Sequence, residues 1–372
     1  MVPNGWLHKQ IGEIASIQVG RDLVEDKYSE ISTTEYKYPV YSNTVENKGL
    51  YGFYNFPEYS GNAITIVGRG VGLGKAFARS PGESFGAIGR LLVLTPKNNS
   101  FDVIFFANYI NFALRIHNES GGIPQLPGAS LSKYFVMLPP LAEQQKIAQI
   151  LSTWDKAIAV TEQLLANSQQ QKKALMQQLL TGKKRLLDEN GVRFEGEWEE
   201  VLLGDIAKIT TGSSNRQDSN LNGEYTFFDR SEDIRTSNIY LFDCEAVIVP
   251  GEGQDFVPKY FVGKFDLHQR TYAIMDFISH DGKFLFYAIH YFRSYFLSQA
   301  VGSTVKSLRL PMFQKMKISL PELAEQQKIA KGLSTADQEI EALQRKLDGL
   351  QQEKKALMQQ LLTGKRRVKV AA

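Results

Sequence analysis

Twice along this chain apolar residues recur at alternating steps of four and three. In the later stretch Ile329, Leu333, Ala336, Ile340, Leu343, Leu347, Leu350, Leu357 and Leu361 fall on one stripe, broken only by Lys354. The earlier stretch carries Ile147, Leu151, Trp154, Ile158, Thr161, Leu165, Ser168, Lys172, Leu175 and Leu179 in the same register, with a weaker seam. A 3.5-residue period held over about four heptads predicts long helices of coiled-coil type. Pro139, Pro140 and Pro321 stand just before the two stretches, where proline is tolerated. Gly182 and Gly364 stand where a helix stop belongs, each followed by basic residues. The competing reading is two amphipathic helices on separate globular cores; the lack of Pro breaks weighs against it, although Gly332 and Gly349 fall within the later stretch.

The stretches are copies. Leu141-Ala-Glu-Gln-Gln-Lys-Ile-Ala148 returns as Leu323–Ala330, and Lys172-Lys-Ala-Leu-Met-Gln-Gln-Leu-Leu-Thr-Gly-Lys183 returns as Lys354–Lys365, both 182 positions later. Nothing is inserted or deleted between the segments, as expected of one continuous rigid element rather than a loop. Weaker repetition extends outside the helices: Trp6, Gly12, Ile17 and Gly20 match Trp198, Gly204, Ile209 and Gly212 at an offset of 192, and Leu126 and Lys133 match Leu308 and Lys315 at 182. The expected plan is a variable domain and a helix, each present twice.

Both variable regions show short β-prone runs bounded by Gly, Pro and Asn. These are Tyr38–Tyr41, Ala63–Val67 and Arg90–Leu94 in the first, and Tyr225–Phe228, Ala246–Val249 and Thr271–Ile274 in the second. In each a helical pattern follows, over Phe101–Ile116 and Phe284–Leu297. Strands followed by a helix indicate α+β domains. Val67-Gly-Arg-Gly70 and Pro250-Gly-Glu-Gly253 occupy equivalent places, and Arg90 and Arg270 each open the next strand. The interiors barely match while the ends of the helices are identical, so the regions share a scaffold and present different surfaces.

Composition narrows the function. The chain has 372 residues, 43% hydrophobic and 22% charged, with a net charge of +3 that permits a polyanionic partner without arguing for one. A single Cys244 excludes a disulfide framework and fits a reducing cytosol. Neither a membrane-spanning apolar run nor a signal-peptide core is expected. Gly68-Arg-Gly-Val-Gly-Leu-Gly-Lys75 fails both common phosphate-binding patterns, because Arg69 and Ala76 break one and Leu73 or Lys75 the other; a hairpin loop is expected instead. The five histidines lack metal-ligand spacing, and no nucleophile–base set stands out, so catalysis by this chain is not expected and no metal site is assigned.

Polar and basic residues do gather between the predicted strands. In the first region they are Ser42, Asn43, Arg69, Lys75, Arg79 and Arg90. In the second they are Arg230, Glu252, Gln254, His268, Gln269, Arg270, Lys306 and Arg309. Arg, Asn, Gln and Glu read base edges and Lys and Ser hold phosphate, so these are candidate DNA contacts; taken one by one, a solvated surface explains them better, and the set gains weight only from the architecture around it.

Leu138-Pro-Pro-Leu-Ala-Glu-Gln-Gln-Lys-Ile147, its partner Leu320–Ile329, the paired Leu-Met-Gln-Gln-Leu-Leu-Thr-Gly segments and His268-Gln-Arg-Thr-Tyr272 together resemble the specificity (S) subunits of Type I restriction-modification systems. The resemblance implies two α/β target-recognition domains, over 1–138 and 186–320, separated by spacer helices over 139–185 and 321–372 that form an antiparallel coiled coil. It implies binding of double-stranded DNA at a bipartite, asymmetric site, one domain per half. It further implies assembly with two methyltransferase subunits and with restriction subunits, S-adenosylmethionine belonging to the former and ATP and Mg²⁺ to the latter, and none of these cofactors to this chain. Two alternatives stay open: a specificity chain of another restriction-modification type, and a coiled-coil scaffold whose domains bind protein.

Overall fold

A computed structural model describes residues 2–118, 121–231 and 233–369. The chain forms two compact units, Met1–Thr161 with Lys346–Ala372 and Glu162–Arg345. The first opens with Leu7–Gln10 (β1), the turn Ile11–Ile14 (α1) and Ala15–Val19 (β2). Then come Tyr28–Ser29 (β3), Tyr38–Tyr41 (β4), Leu50–Tyr54 (β5), Ala63–Ile66 (β6), Ala76–Arg79 (β7), Gly86–Ala87 (β8) and Leu92–Pro96 (β9). Helix Val103–Ala113 (α2), the turn Gly128–Leu131 (α3) and Phe135–Leu138 (β10) lead into the long helix Leu141–Leu179 (α4).

An antiparallel sheet in the order β2-β9-β6-β7 is the frame of this unit. Alternation along its strands sorts side chains to two faces. Ile64, Ile66, Leu92 and Leu94 face Phe105, Phe106 and Ile110 of α2, whereas Ala63 and Val93 join Tyr41, Phe85 and Ala87 of a second sheet, β3-β5-β4-β8. The carboxylate of Asp102 caps α2, accepting the amides of Ile104 at 3.0 Å and Phe105 at 2.8 Å. The core is completed by Ile147 and Leu151 of α4 and by Leu361 and Leu362 near the C-terminus.

The second unit repeats the frame. Its elements are Glu199–Leu202 (β11), Leu203–Ile206 (α5), Lys208–Thr211 (β12), Tyr225–Phe228 (β13), Arg235–Ser237 (β14), Phe242–Pro250 (β15), Glu252–Gly253 (β16), Lys259–Leu267 (β17) and Thr271–Met275 (β18). Helices Gly282–Tyr291 (α6) and Ser294–Gln299 (α7) follow, then Lys306–Ser307 (β19), Leu310–Gln314 (α8), Lys317–Leu320 (β20) and the long helix Leu323–Leu361 (α9). The order β12-β18-β15-β17 reproduces β2-β9-β6-β7, but β13 and β14 extend this sheet where the first unit has a separate one. Two-stranded pairs β1–β10 and β11–β20 occupy equivalent places. Met176 and Leu179 of α4, Leu180 just after it, and Ile329 and Leu333 of α9 complete the core around Phe284, Leu285 and Ile289.

Every expected seam position of α4 and α9 is buried or half-buried. Within the first unit Arg367 pairs with Glu143 at 2.6 Å and Lys354 with Asp155 at 2.5 Å; within the second Arg185 pairs with Glu325 at 2.6 Å and Lys172 with Asp337. In each, a later residue of one helix meets an earlier residue of the other, so the helices pack antiparallel as expected. These boundaries differ from expectation. The first predicted helix shortens to Val103–Ala113, since Asp102 caps it and Leu114 turns extended. The second, expected over Phe284–Leu297, breaks into α6 and α7 where Phe292 leaves helical geometry. Neither Arg90 nor Arg270 begins a strand: Arg90, with a φ of 66°, and Arg270 both sit in turns, and the strands start at Leu92 (β9) and Thr271 (β18).

Candidate functional site

The two sheets present corresponding loops, and backbone contacts fix the correspondence. The amide of Leu126 donates to the Gly68 carbonyl at 2.9 Å, and that of Leu308 to the Gly251 carbonyl at 2.8 Å. A Cβ on Gly68 would stand 2.8 Å from the Arg90 carbonyl oxygen, and one on Gly251 would stand 2.5 Å from that of Arg270, so both sites require glycine. Arg69 bridges to Gln125 as Glu252 pairs with Ser307. Arg69 and Glu252 are therefore structural counterparts, as are Arg90 and Arg270.

In the first unit Asn43 joins three loops. Its side-chain oxygen accepts the Gly68 amide at 2.8 Å and its amide nitrogen donates to the Gly89 carbonyl. This gathers Ser42, Asn43, Arg69 and Arg90 on one side of the sheet. Arg69, Arg90 and Lys75 are exposed, and Arg69 and Arg90 make no ion pair among the described residues. Residues 68–75 form the expected hairpin loop between β6 and β7, with Gly70, Gly72 and Gly74 all at positive φ.

Arg79 requires a correction. It is 3% exposed and lies inside the unit. Its guanidinium donates to Thr65 Oγ1 at 2.8 Å and to the Lys48 carbonyl at 2.6 Å, and stacks 3.2 Å from the Tyr41 ring centre. Burial lowers the Arg79 pKa, and burial also pushes the Tyr41 hydroxyl up to about 12. A guanidinium so enclosed cannot reach a base edge; it holds the two sheets of the unit together. Arg79→Ala should cost about 1–3 kcal/mol by orphaning buried acceptors. A thermal melt of the variant indistinguishable from the parent would contradict that role.

In the second unit the loops enclose an open cleft of about 210 Å³, lined by Arg216, Asp229, Arg230, Glu252, His268, Gln269 and Arg270. Glu252 receives Arg230 at 2.9 Å on one carboxylate oxygen and Arg270 on the other. Asp229 is 3% exposed; one oxygen accepts the Ser231 amide at 2.8 Å. The other lies 3.7 Å from Arg216 and accepts no hydrogen bond among the described residues. Burial by itself would raise the Asp229 pKa, but its hydrogen bonds from Ser231 and the nearby Arg216 and His268 bring it below the ordinary value. Burial lowers the His268 pKa, with Arg230 and Arg270 adding to the effect. The Arg270 amide donates to His268 Nδ1 at 3.1 Å, so the neutral ring carries its proton on Nε2. Gln269 donates to Asn215 at 2.6 Å.

Four of the residues singled out in the second region thus meet Glu252: Arg230, His268, Gln269 and Arg270. Gln254 is exposed on the neighbouring loop; Lys306 lies half-buried on β19 and Arg309 is exposed at the start of α8, neither lining the cleft. Sequence reasoning missed Arg216 and Asp229. Asp229 follows directly on the apolar run Tyr225–Phe228, which was the available signal, whereas Arg216 sits in a short 3₁₀ turn with no local pattern. Among the described residues no group of three or more His, Cys, Asp or Glu side chains could hold a metal ion, and no helix is long and apolar enough to cross a membrane.

Two like sheets, each closed by the ends of two long helices and each bearing different polar loops, define a duplicated two-domain α+β protein. The model of the Type I restriction modification DNA specificity domain matches residues 3–167 and 195–352. A Type I restriction enzyme specificity subunit, MjaVIII of Methanocaldococcus jannaschii, is 24% identical over an alignment covering 99% of this chain and 94% of the relative. The EcoDI specificity subunit of Escherichia coli is 30% identical over 45% of this chain and 37% of its own length. The crystal structure of a Type I restriction-modification S subunit from M. genitalium superposes with a TM-score of 0.72 at 16% identity, covering 97% of this chain and 99% of that one. The chain belongs to the Type I restriction-modification DNA specificity family.

Proposed function

We propose that this chain reads a bipartite, asymmetric sequence in double-stranded DNA, one domain per half-site, and carries that recognition into a complex with two methyltransferase subunits and, for cleavage, restriction subunits. The chain itself is non-catalytic in this reading. S-adenosylmethionine belongs to the methyltransferase subunits and ATP with Mg²⁺ to the restriction subunits. The observation that carries the reading is the duplication: the same four-stranded frame occurs twice, with Arg69 and Arg90 exposed and without ion pairs among the described residues on one copy and an Arg–Glu–Arg cluster on the other. Identical loops would read a symmetric site; different loops call for different halves. A further structural neighbour, with TM-score 0.53, comes from work on complex assembly of the type I restriction-modification system, which supports the partner assignment by analogy.

Exposed arginines around an open cleft suit contact with phosphate and guanine. The test is sequencing of methylated sites in DNA from cells carrying this chain with methyltransferase subunits. The expected result is one motif with two unequal halves and an unread spacer. Arg270→Ala should relax one half by about 1–3 kcal/mol of discrimination at a base pair, leaving the other half and the complex intact. A methylated motif without a spacer would refute the reading, and loss of complex formation in Arg270→Ala would move that residue into the scaffold.

A further inference from the structure

Position 252 differs from its counterpart in the first domain in the sign of its charge. Arg69 and Glu252 stand at the same place in the same frame, each beside the carbonyl of the arginine that precedes the next strand. In the first domain the pair is Arg69 and Arg90, both exposed and without ion pairs among the described residues. In the second it is Glu252 and Arg270, joined, with Arg230 on the remaining carboxylate oxygen.

Exposure separates the roles within the cluster. The Arg230 and Arg270 side chains are 53% and 60% exposed, whereas that of Glu252 is 12% exposed. A carboxylate so covered, with a guanidinium on each oxygen, is poorly placed to accept from a cytosine amino group. It is well placed to fix the two guanidiniums above it. An exposed arginine samples many rotamers and loses side-chain entropy when a ligand immobilises it. Holding it beforehand lowers that loss and leaves its outer N–H groups aimed outward. His268 adds to the arrangement from below, because its Nδ1 accepts the Arg270 amide and fixes the turn from which that side chain departs.

We propose that Glu252 is the specificity-determining positioning residue of the second domain: it holds Arg230 and Arg270 as a preorganised fork that reads a guanine in the half-site contacted by that domain. This deepens the DNA-reading assignment above and rests on it. Guanine is the base whose major-groove edge offers two acceptors, O6 and N7, to one guanidinium. Arg69 at the counterpart position leaves the first domain without this fork, so the two halves differ through one inverted charge on a common frame.

The test compares the complex of this chain with methyltransferase subunits in three forms: parent, Glu252→Gln and Arg270→Lys. Glu252→Gln keeps shape but removes the charge that gathers the arginines; Arg270→Lys keeps charge but removes the fork. Methylated-site sequencing should show both variants accepting other bases at one and the same G·C pair, with about 10-fold or greater loss of discrimination there and the opposite half unchanged. Freed of Glu252, the arginines turn to phosphate, so Glu252→Gln should also bind unrelated duplex DNA more tightly, with a log–log salt slope steeper by about 1–2. Relaxation at an A·T pair, relaxation by the two variants at different pairs, or an unaltered motif in a folded Glu252→Gln complex each overturns the proposal. A Glu252→Gln protein that does not fold makes the carboxylate structural and likewise overturns it, while Arg270→Lys still shows whether Arg270 reads the guanine. If the parent complex methylates no two-part motif, the DNA-reading assignment itself fails, which is a separate result.

Discussion

Arg185→Ala should destabilise the second unit by about 3–5 kcal/mol, because it leaves the Glu325 carboxylate buried and uncompensated. The Glu325 side chain is 0% exposed and both its oxygens accept from the Arg185 guanidinium, at 2.9, 3.0 and 2.6 Å. Arg185 follows the stop at Gly182, so the basic tail that ends α4 reaches back to the first turn of α9. For a unit of this size such a loss lowers the melting midpoint by about 10 °C. The counterpart pair, Arg367 with Glu143, is more open, at 42% and 4% exposure, and Arg367→Ala should cost less. The double replacement Arg185→Met with Glu325→Leu should return most of the stability, since an apolar pair of similar volume removes the unmatched charge. Thermal melts showing Arg185→Ala within about 1 kcal/mol of the parent would mean that Glu325 finds water or another partner once Arg185 is gone.

The second large effect concerns the target. As an extension of the DNA-reading assignment, we propose that α4 and α9, which run through both units, act as a ruler for the distance between the half-sites. Matched four-residue insertions after Thr161 and after Arg345 preserve the pairings found inside each unit, Lys354 with Asp155 in one and Lys172 with Asp337 in the other. Each insertion lengthens its helix by about 6 Å and turns it about 40° beyond a full turn. Duplex DNA advances about 3.4 Å per base pair, so the unread spacer should grow by about two base pairs while the bases read stay the same. A one-sided insertion within Ala166–Lys172 would shift Lys172 away from Asp337 and is the harsher variant. Methylated-site sequencing decides the matter: a spacer of unchanged length in a stable, active insertion mutant would remove the ruler from the mechanism.

The helices could be read so closely because their signal is local and doubled. Each seam residue lies within one turn of the next, and near-identity at a constant offset rules out loops inside the stretch. The offsets of 192 and 182 hold for paired strands that the sequence pattern did not mark: β1 and β11 are 192 positions apart, β10 and β20 are 182 apart, and the difference lies in the loops between. The polar loops were less transparent. Arg69 and Arg79 belong to one hairpin and to one residue type, yet one is exposed and the other sits in the core. What separates them is the neighbouring sheet, whose Tyr41 ring and Lys48 carbonyl receive Arg79. The clustering of Arg230, Glu252 and Arg270 likewise joins residues from three different connections, and the contribution of Arg216 and Asp229 had no periodic mark.

From the amino-acid order alone came the duplication, the two long helices and their stops, and the α+β character of the variable regions, because these depend on spacing between near neighbours. Strand order, the sorting of arginines into core and cleft, and the joining of Arg230 and Arg270 on Glu252 were decided only in three dimensions. Sheet pairing and burial bring together residues tens of positions apart, and no local pattern records which distant partner a side chain will meet.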